Sequence, residues 1–275
     1  MKPFLKWAGG KYRLAPKIAA ALPSGQRLVE PFVGSGALWL NTDYPQALLT
    51  DINDDLINLY RTLKTEGLSF IDYCQTYFDG THNTSAEFYR LRTAFNTSLD
   101  IRQKSALFVY LNRHCFNGLC RYNSQGIFNV PYGRYVKPHF PRVEMVAFWQ
   151  KAQHAEFLAT DFRQIMAMCQ TGDVVYCDPP YAPMATAASF TDYATAGFGQ
   201  QDQLDLAQLA AELAHQGVPV LISNHDTDFT RNIYRDAELQ YFDVQRFISA
   251  TPQNRKQVPE LLALFKSKDH TVISQ

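Results

Sequence analysis

The chain has 275 residues, of which 46% are hydrophobic and 13% aromatic, and its 26 basic and 26 acidic side chains cancel. That apolar share suffices for a globular core, and the length suits one large domain or one domain carrying an insertion. No apolar run reaches the roughly 18–20 residues of a bilayer span, and the start turns polar too soon for a signal peptide. The five cysteines, Cys74, Cys115, Cys120, Cys169 and Cys177, are scattered without a CxxC pair. They read as reduced thiols in a cytoplasmic protein, and no cluster has the ligand spacing of a metal site.

In chain order, Leu28–Val33 reads as a buried strand, followed by a glycine turn and a short helical stretch from Ala37. Ala47–Asp51 reads as a second strand ending in an acid. Asp54–Lys64 and Glu87–Asn96 have apolar residues at three- and four-residue spacing, as helices do, and Ser105–Asn112 continues this pattern. Beyond Asn112 the pattern breaks into Gly, Asn, Tyr and Pro, which predicts turns or a small hairpin. Strand-like runs return at Glu156–Thr160, Asp173–Cys177, Pro219–Ser223, Leu239–Phe247 and Leu261–Phe265, with a helix over Gln203–His215. The expected fold is therefore α/β, a Rossmann-like doubly wound sheet built from 1–55 and 150–275, with a mainly helical insertion over 56–149.

The sharpest motif is Asp178-Pro179-Pro180-Tyr181, directly after an apolar strand. Two prolines supply no amide donor and fix φ near −65°, so the carbonyl of Pro179 is held in a set direction. A carboxylate, a fixed carbonyl and an aromatic ring then gather at the carboxyl end of a strand, where open α/β sheets bind ligands. An exocyclic amine on a nucleobase needs that trio. Its lone pair is delocalised into the ring, and two acceptors holding its N–H bonds favour a pyramidal, nucleophilic nitrogen. Positive charge developing there is stabilised by preorganised negative dipoles, while Tyr181 offers a stacking face. The plainer alternative is a proline-rich turn with a capping acid.

Two further segments are weaker. Phe32, Gly34, Gly36 and Asp51 lie in a strand–glycine turn–strand unit suited to a nucleoside, with the acid placed for ribose hydroxyls. The dinucleotide fingerprint needs a third glycine where Trp39 stands, which favours a ligand without a pyrophosphate. The segment from Lys6 through Trp7 to Lys11 contains paired glycines but not the P-loop pattern. Between Ser85 and Met145, basic side chains exceed acidic ones by six, interleaved with Phe116, Tyr122, Tyr132, Tyr135, Asn117, Asn123 and Asn129. An ordinary solvated face would look similar, but this mixture suits phosphate, stacking and base-edge contacts together.

The order of these segments resembles the α class of amino-methyltransferases, and within it the Dam family along nearly the whole chain. The matching stretches are FLKWAGGKY (4–12), VEPFVGSG (29–36), DIN (51–53), YLNR (110–113), NGLCRYN (117–123), FNVP (128–131), VYCDPPYAP (175–183) and ISNHD (222–226). The resemblance implies a cytoplasmic, monomeric enzyme that moves a methyl group from S-adenosylmethionine to adenine N6 in GATC duplex DNA, leaving S-adenosylhomocysteine, with the base flipped out of the stack. It implies cofactor contacts from Trp7, Lys11, Asp51 and Asp178, joined to the glycine turn. It also implies a recognition role for the insertion. Lys6, Leu119 and Arg121 would read base pairs, while Arg92, Arg113, Asn123, Asn129 and Arg134 would lie along phosphates. Phe116, beside Asn117, stands where the family often has a tyrosine that wedges into the stack, and Val136 stands where a lysine is common. The basic segment 249–256 matches loosely. On the same resemblance, no metal and no covalent enzyme intermediate are needed. Cys177 is expected as strand core rather than nucleophile, and His225 as a turn residue rather than acid or base.

Three rival readings share parts of the pattern. A different amine (cytosine N4, an RNA base or a protein glutamine) would fit the same acceptor pair. A non-catalytic DNA-binding module would not need Asp178 and Tyr181. A nicotinamide-dependent oxidoreductase is disfavoured by Trp39 and the proline turn.

Overall fold

The computed structural model describes residues 1–184, 197–245 and 257–267, apart from the side chain of Gln245. Their helices are α1 Ala15–Ala21, α2 Asp54–Glu66, α3 Leu68–Gln75, α4 Ser85–Thr97, α5 Ile101–His114, α6 Arg142–Ala152, α7 Phe162–Met166, α8 Gln200–His215 and α9 Asp228–Ile233. The strands are β1 Arg27–Glu30, β2 Gln46–Asp51, β3 Ala155–Ala159, β4 Asp173–Cys177, β5 Val220–His225, β6 Glu238–Gln245 and β7 Gln257–Phe265, members of a seven-stranded sheet. The α/β expectation holds. The chain divides into two compact units, Met1–Ala19 with Val33–Asp43 and Ala47–Ala159, and Ala20–Phe32 with Tyr44–Gln46 and Thr160–Gln275.

In the first unit, β2 and β3 pair in parallel from Ala47 opposite Ala155 to Asp51 opposite Ala159. The chain leaves β2 straight into α2, because Asn53 caps that helix: its side chain accepts from Leu56 N–H at 3.1 Å. Asp54 and Asp55 occupy the first turn, where the helix dipole favours negative charge. Gly67 ends α2 at φ +55°, and a Cβ there would lie 2.5 Å from the Trp149 indole, so only glycine fits this turn into α3. The centre of the unit is α5, buried without interruption from Ser105 to His114 and packed by α2, α3 and α4. An aromatic cluster of Phe4, Trp39, Tyr60, Phe148 and Phe157 anchors the N-terminal segment, with Phe4 edge-on to Phe148 at 5.1 Å. Beyond α5 the expected hairpin appears as antiparallel bridges Cys115–Tyr132 and Tyr122–Phe128.

In the second unit the strand order is β1, β4, β5, β7, β6. The first three are parallel, and β7 runs antiparallel to both its neighbours. Arg27 and Asp173, opposed at the start of β1 and β4, form a two-pronged ion pair at 2.8 and 2.7 Å. All five residues of β4 are buried, as an apolar central strand should be.

Several boundaries shift. The first strand ends at Glu30, because Pro31 has no N–H to continue the ladder. The helical stretch after the glycine turn is only a 3₁₀ turn, Trp39–Asn41. The strand at 219–223 extends to His225, and the strand at 261–265 begins at Gln257. Residues 246 and 247 of another expected strand lie outside the described residues. α1, α3, α6, α7 and α9 had no counterpart in the sequence reading; in α6 only Met145, Phe148 and Ala152 are buried, too few to give a clear stripe.

Candidate active site

Two places carry the expected residues, one in each unit. In the first unit the turn Val33–Gly36 is pinned from several sides. Gly34 and Gly36 have φ of +47° and +67°. Gly34 N–H donates to Asp51 Oδ2 at 3.1 Å, Asn53 N–H donates to Asp51 Oδ1 at 3.0 Å, and the Tyr60 hydroxyl donates to Gly34 C=O. A Cβ on Gly34 would lie 2.7 Å from Trp7 Nε1. Trp7 and Asp51 therefore both lie against Gly34. Burial pushes the Asp51 carboxyl above the usual carboxylate range, opposed by the backbone N–H bonds of Asn53, Gly34 and Ile52. Three backbone N–H groups thus bond the two carboxylate oxygens, which together can accept about four bonds. Lys11 is buried, with Nζ donating to Gly9 C=O at 2.9 Å. This rigid acceptor beside a glycine turn with an indole against it fits a nucleoside carrying ribose hydroxyls.

In the second unit Asp178 follows β4 without a break. Ser223 of β5 donates its hydroxyl to Asp178 Oδ1 at 2.9 Å, with Tyr176 Oη 3.0 Å from the same Ser223 Oγ. Pro179 is buried, and its carbonyl carries no hydrogen bond among the described residues. Tyr181 donates its phenol to Glu260 at 3.1 Å and meets the His225 ring edge-on at 4.9 Å. Burial, then the Asp178 carboxylate, hold the phenol far above its ordinary pKa. His225 Nδ1 lies 2.6 Å from Ala182 C=O. A carbonyl only accepts, so that nitrogen carries the proton, and the residue ends a buried strand rather than sitting in a turn. Cys177 is fully buried with its thiol pKa far raised, in line with strand core. Phe32 forms a cluster with Phe162 and Phe198, ring centres 5.4 and 5.6 Å away.

The residues expected to touch nucleic acid fall into three groups. Lys6 is held by its backbone: its N–H donates to Asn112 Oδ1 at 2.9 Å, while Asn112 Nδ2 donates to Lys6 C=O and Gly118 C=O. Its ammonium lies 4.3 Å over the Tyr135 ring, and burial, then Arg113, lower its pKa. Gly118 has no room for a Cβ, which would lie 2.4 Å from the Lys6 side chain. Beside it Phe116 is 51% exposed, and Asn117, at φ +55°, donates N–H to the Tyr135 hydroxyl at 3.1 Å. The loop presenting Phe116, Asn117 and Leu119 is thus locked to Lys6. A second group lies on or against the hairpin, with Arg92 reaching it from α4. Arg121 is exposed and donates to Asn129 Oδ1 at 2.8 Å, Arg134 is exposed at φ +56°, and Arg92 donates to Val130 C=O at 2.9 Å. A third group also supports the fold. Arg113 is buried, donates to Phe4 C=O and leaves Nε without a partner among the described residues, and Asn123 accepts with its side-chain oxygen from Gln125 and Ile127 N–H. The basic segment 249–256 lies outside the described residues.

Residues 7–248 match the model of the D12 class N6 adenine-specific DNA methyltransferase family. A DNA adenine methylase of Serratia marcescens is 50% identical over 266 residues, covering 96% of this chain and 98% of that protein. DNA adenine methylases of Vibrio cholerae and Escherichia coli K12 are 49% and 48% identical, each covering 96% of this chain and respectively 96% and 95% of the relative. The chain belongs to the D12 class of N6 adenine-specific DNA methyltransferases. It is accordingly an S-adenosylmethionine-dependent DNA adenine methyltransferase, as the motifs suggested.

Several residues of this family member had no supporting role in the sequence reading, where Tyr135 figured only among the aromatics of the basic stretch. Ser223 and Glu260 hold Asp178 and Tyr181, Asn112 and Tyr135 hold Lys6, and Phe162 and Phe198 flank Phe32. Ser223 and Asn112 lay inside recognised motifs, but hydrogen bonds spanning 45 and 106 residues leave no local signal. No group of three or more His, Cys, Asp or Glu that could hold a metal occurs among the described residues, and no described helix is long and apolar enough to cross a membrane.

Proposed function

We propose that the enzyme methylates N6 of adenine within GATC duplexes by flipping the base, with the donor held by Trp7, Lys11, Phe32, Gly34, Gly36 and Asp51. The observation that carries this reading is the pairing of an Asp178 carboxylate fixed by Ser223 with a buried Pro179 carbonyl that carries no hydrogen bond among the described residues. Those two acceptors take the two N6 hydrogens and draw the nitrogen out of conjugation. When bound, S-adenosylmethionine supplies an electrophilic sulfonium methyl. Asp178 and Pro179 would hold N6 with its lone pair directed at that methyl group, and the surplus N6 proton would leave to solvent. Asp178 and the Pro179 dipole stabilise the positive charge on N6 in passing. Asp51 fixes the ribose hydroxyls, and Trp7 and the glycine turn set the depth of the donor. Tyr181 stacks on the extruded adenine, offsetting an unstacking cost on the order of a few kcal/mol.

Recognition rests on the locked Lys6 loop and the hairpin. Arg121 forks onto a guanine edge, Lys6 and Leu119 contact the other pairs, Phe116 fills the vacated stack, and Arg92, Arg134, Asn123 and Asn129 follow the phosphates. The placement of Arg113 under Phe4 gives it a further task, holding the N-terminal segment that carries Lys6. The proposed modules are a donor-binding catalytic part, 1–55 and 150–275, and a recognition part, 56–149. The test is plasmid DNA treated with the enzyme and donor, then digested with nucleases that differ in sensitivity to methylated GATC. Protection from the sensitive nuclease and cleavage by the methyl-requiring one are expected; an unchanged digest would overturn the reading.

A further inference from the structure

Two buried amides lie beside the Asp-Pro-Pro-Tyr segment without touching Asp178. Asn224 on β5 is fully buried and Gln203 on α8 is 2% exposed. Asn224 Oδ1 accepts from Ala182 N–H and from His225 N–H, each at 2.9 Å, while its Nδ2 donates to Gln203 Oε1 and to the Tyr234 hydroxyl, each at 3.0 Å. All four hydrogen-bonding positions of that amide are therefore filled. Gln203 Nε2 donates at 2.7 Å to Pro180 C=O. The orientation of both amides is forced by the backbone at the two ends. Ala182 N–H requires an oxygen and Pro180 C=O requires an N–H, so flipping either amide would set like groups against each other.

The chain of bonds runs from the carbonyl just before Tyr181, through Gln203 and Asn224, to the amide just after it. We infer that Gln203 and Asn224 form an amide clamp that fixes the backbone on both sides of Tyr181 and so sets where the acceptor base stacks. They are positioning residues for methyl transfer, an assignment that rests on the proposed stacking of adenine on Tyr181. The clamp has a physical logic. Two prolines stiffen the entry to Tyr181; on the exit side Pro183 restricts Ala182, but the Tyr181 backbone itself is left for the fold to set. A fully satisfied buried network costs little and rigidifies what it holds. Tyr234 accepts from Asn224 and donates to Gln203 Oε1 at 3.5 Å but reaches neither Pro180 nor Ala182, so removing its hydroxyl perturbs the buried network while leaving both backbone contacts in place.

The experiment measures kcat, KM for a GATC duplex, cofactor affinity and melting temperature in the full chain and in Gln203→Met, Gln203→Glu and Tyr234→Phe. Gln203→Glu keeps volume and buried polarity, so the test does not hang on the Met variant folding. The clamp predicts that both Gln203 variants lose about 10- to 100-fold in kcat, with KM and cofactor affinity changed by no more than about threefold. Tyr234→Phe lowers melting but keeps kcat within about twofold. Gln203 variants with kcat within about twofold of the parent, or a kcat loss that simply follows melting across all three variants, overturn the clamp while leaving the assigned reaction intact. Failure of the unmodified enzyme to methylate the duplex overturns the underlying reading instead.

Discussion

At the level of single residues the proposed chemistry assigns two carboxylates opposite tasks. Asp178, held by a hydroxyl at the end of a buried strand, would face the acceptor; Asp51, which braces the glycine turn, would face the donor. Asp178→Ala removes one of the two acceptors for N6. It is expected to lower transfer by at least about 100-fold while duplex affinity stays near that of the parent; near-normal turnover in a labelled-methyl assay would remove Asp178 from its role. Asp51 gives a pH signature. Burial raises its pKa, so on acidification it gains its proton at a higher pH than an ordinary carboxyl and loses acceptor capacity for a ribose hydroxyl. Cofactor affinity, titrated between about pH 4 and 7, should weaken on the acid side earlier than an unperturbed carboxylate would dictate. An affinity flat down to the ordinary carboxylate range would contradict the assignment.

At the level of elements, what was legible in the sequence was whatever is encoded locally. β4 runs directly into Asp178 because five consecutive strand residues are apolar or interior, and α8 carries a plain helical stripe. The glycine turn announced itself, but the helix expected after it contracts to a 3₁₀ turn that packs Trp39 against Phe148 and Phe157. Arg113 and Arg121 look alike as letters in a basic stretch. One is buried on Phe4 at the end of α5, and the other is exposed on the hairpin, a difference only packing decides. Arg121→Ala should therefore relax discrimination at one outer base pair by about 1–3 kcal/mol, measured as the ratio of kcat/KM on duplexes altered at that pair; an unchanged ratio would refute the contact. α5 also holds an acid-sensitive element. His114 is buried, stacked on Tyr110 at 3.9 Å, and burial lowers its pKa to about 4. Its folded pKa lies below the unfolded value, so its contribution is fully present above about pH 6.5 and fades as pH falls toward about 4. His114→Tyr, which keeps an aromatic ring and drops the titration, should flatten the acid side of the melting-temperature profile; a profile as steep as the parent's would show that His114 does not drive it.

At the level of the whole molecule the chain carries no net charge, so electrostatic attraction of a polyanion would rest on the local basic excess between Ser85 and Met145. Its reaction class was legible because Asp-Pro-Pro-Tyr states its chemistry in four adjacent letters. The supports of that motif were not: Ser223, Asn224, Gln203 and Glu260 reach it from distant strands and a helix. The claim on which the rest depends is that N6 of a flipped adenine in GATC is the acceptor. The most direct measurement is transfer of labelled methyl from S-adenosylmethionine to matched duplexes with and without GATC, followed by identification of the modified nucleoside. The account predicts label on N6-methyladenine in the GATC duplex, with little on the altered one. Label on cytosine, on RNA or protein alone, or equally on both duplexes would contradict it.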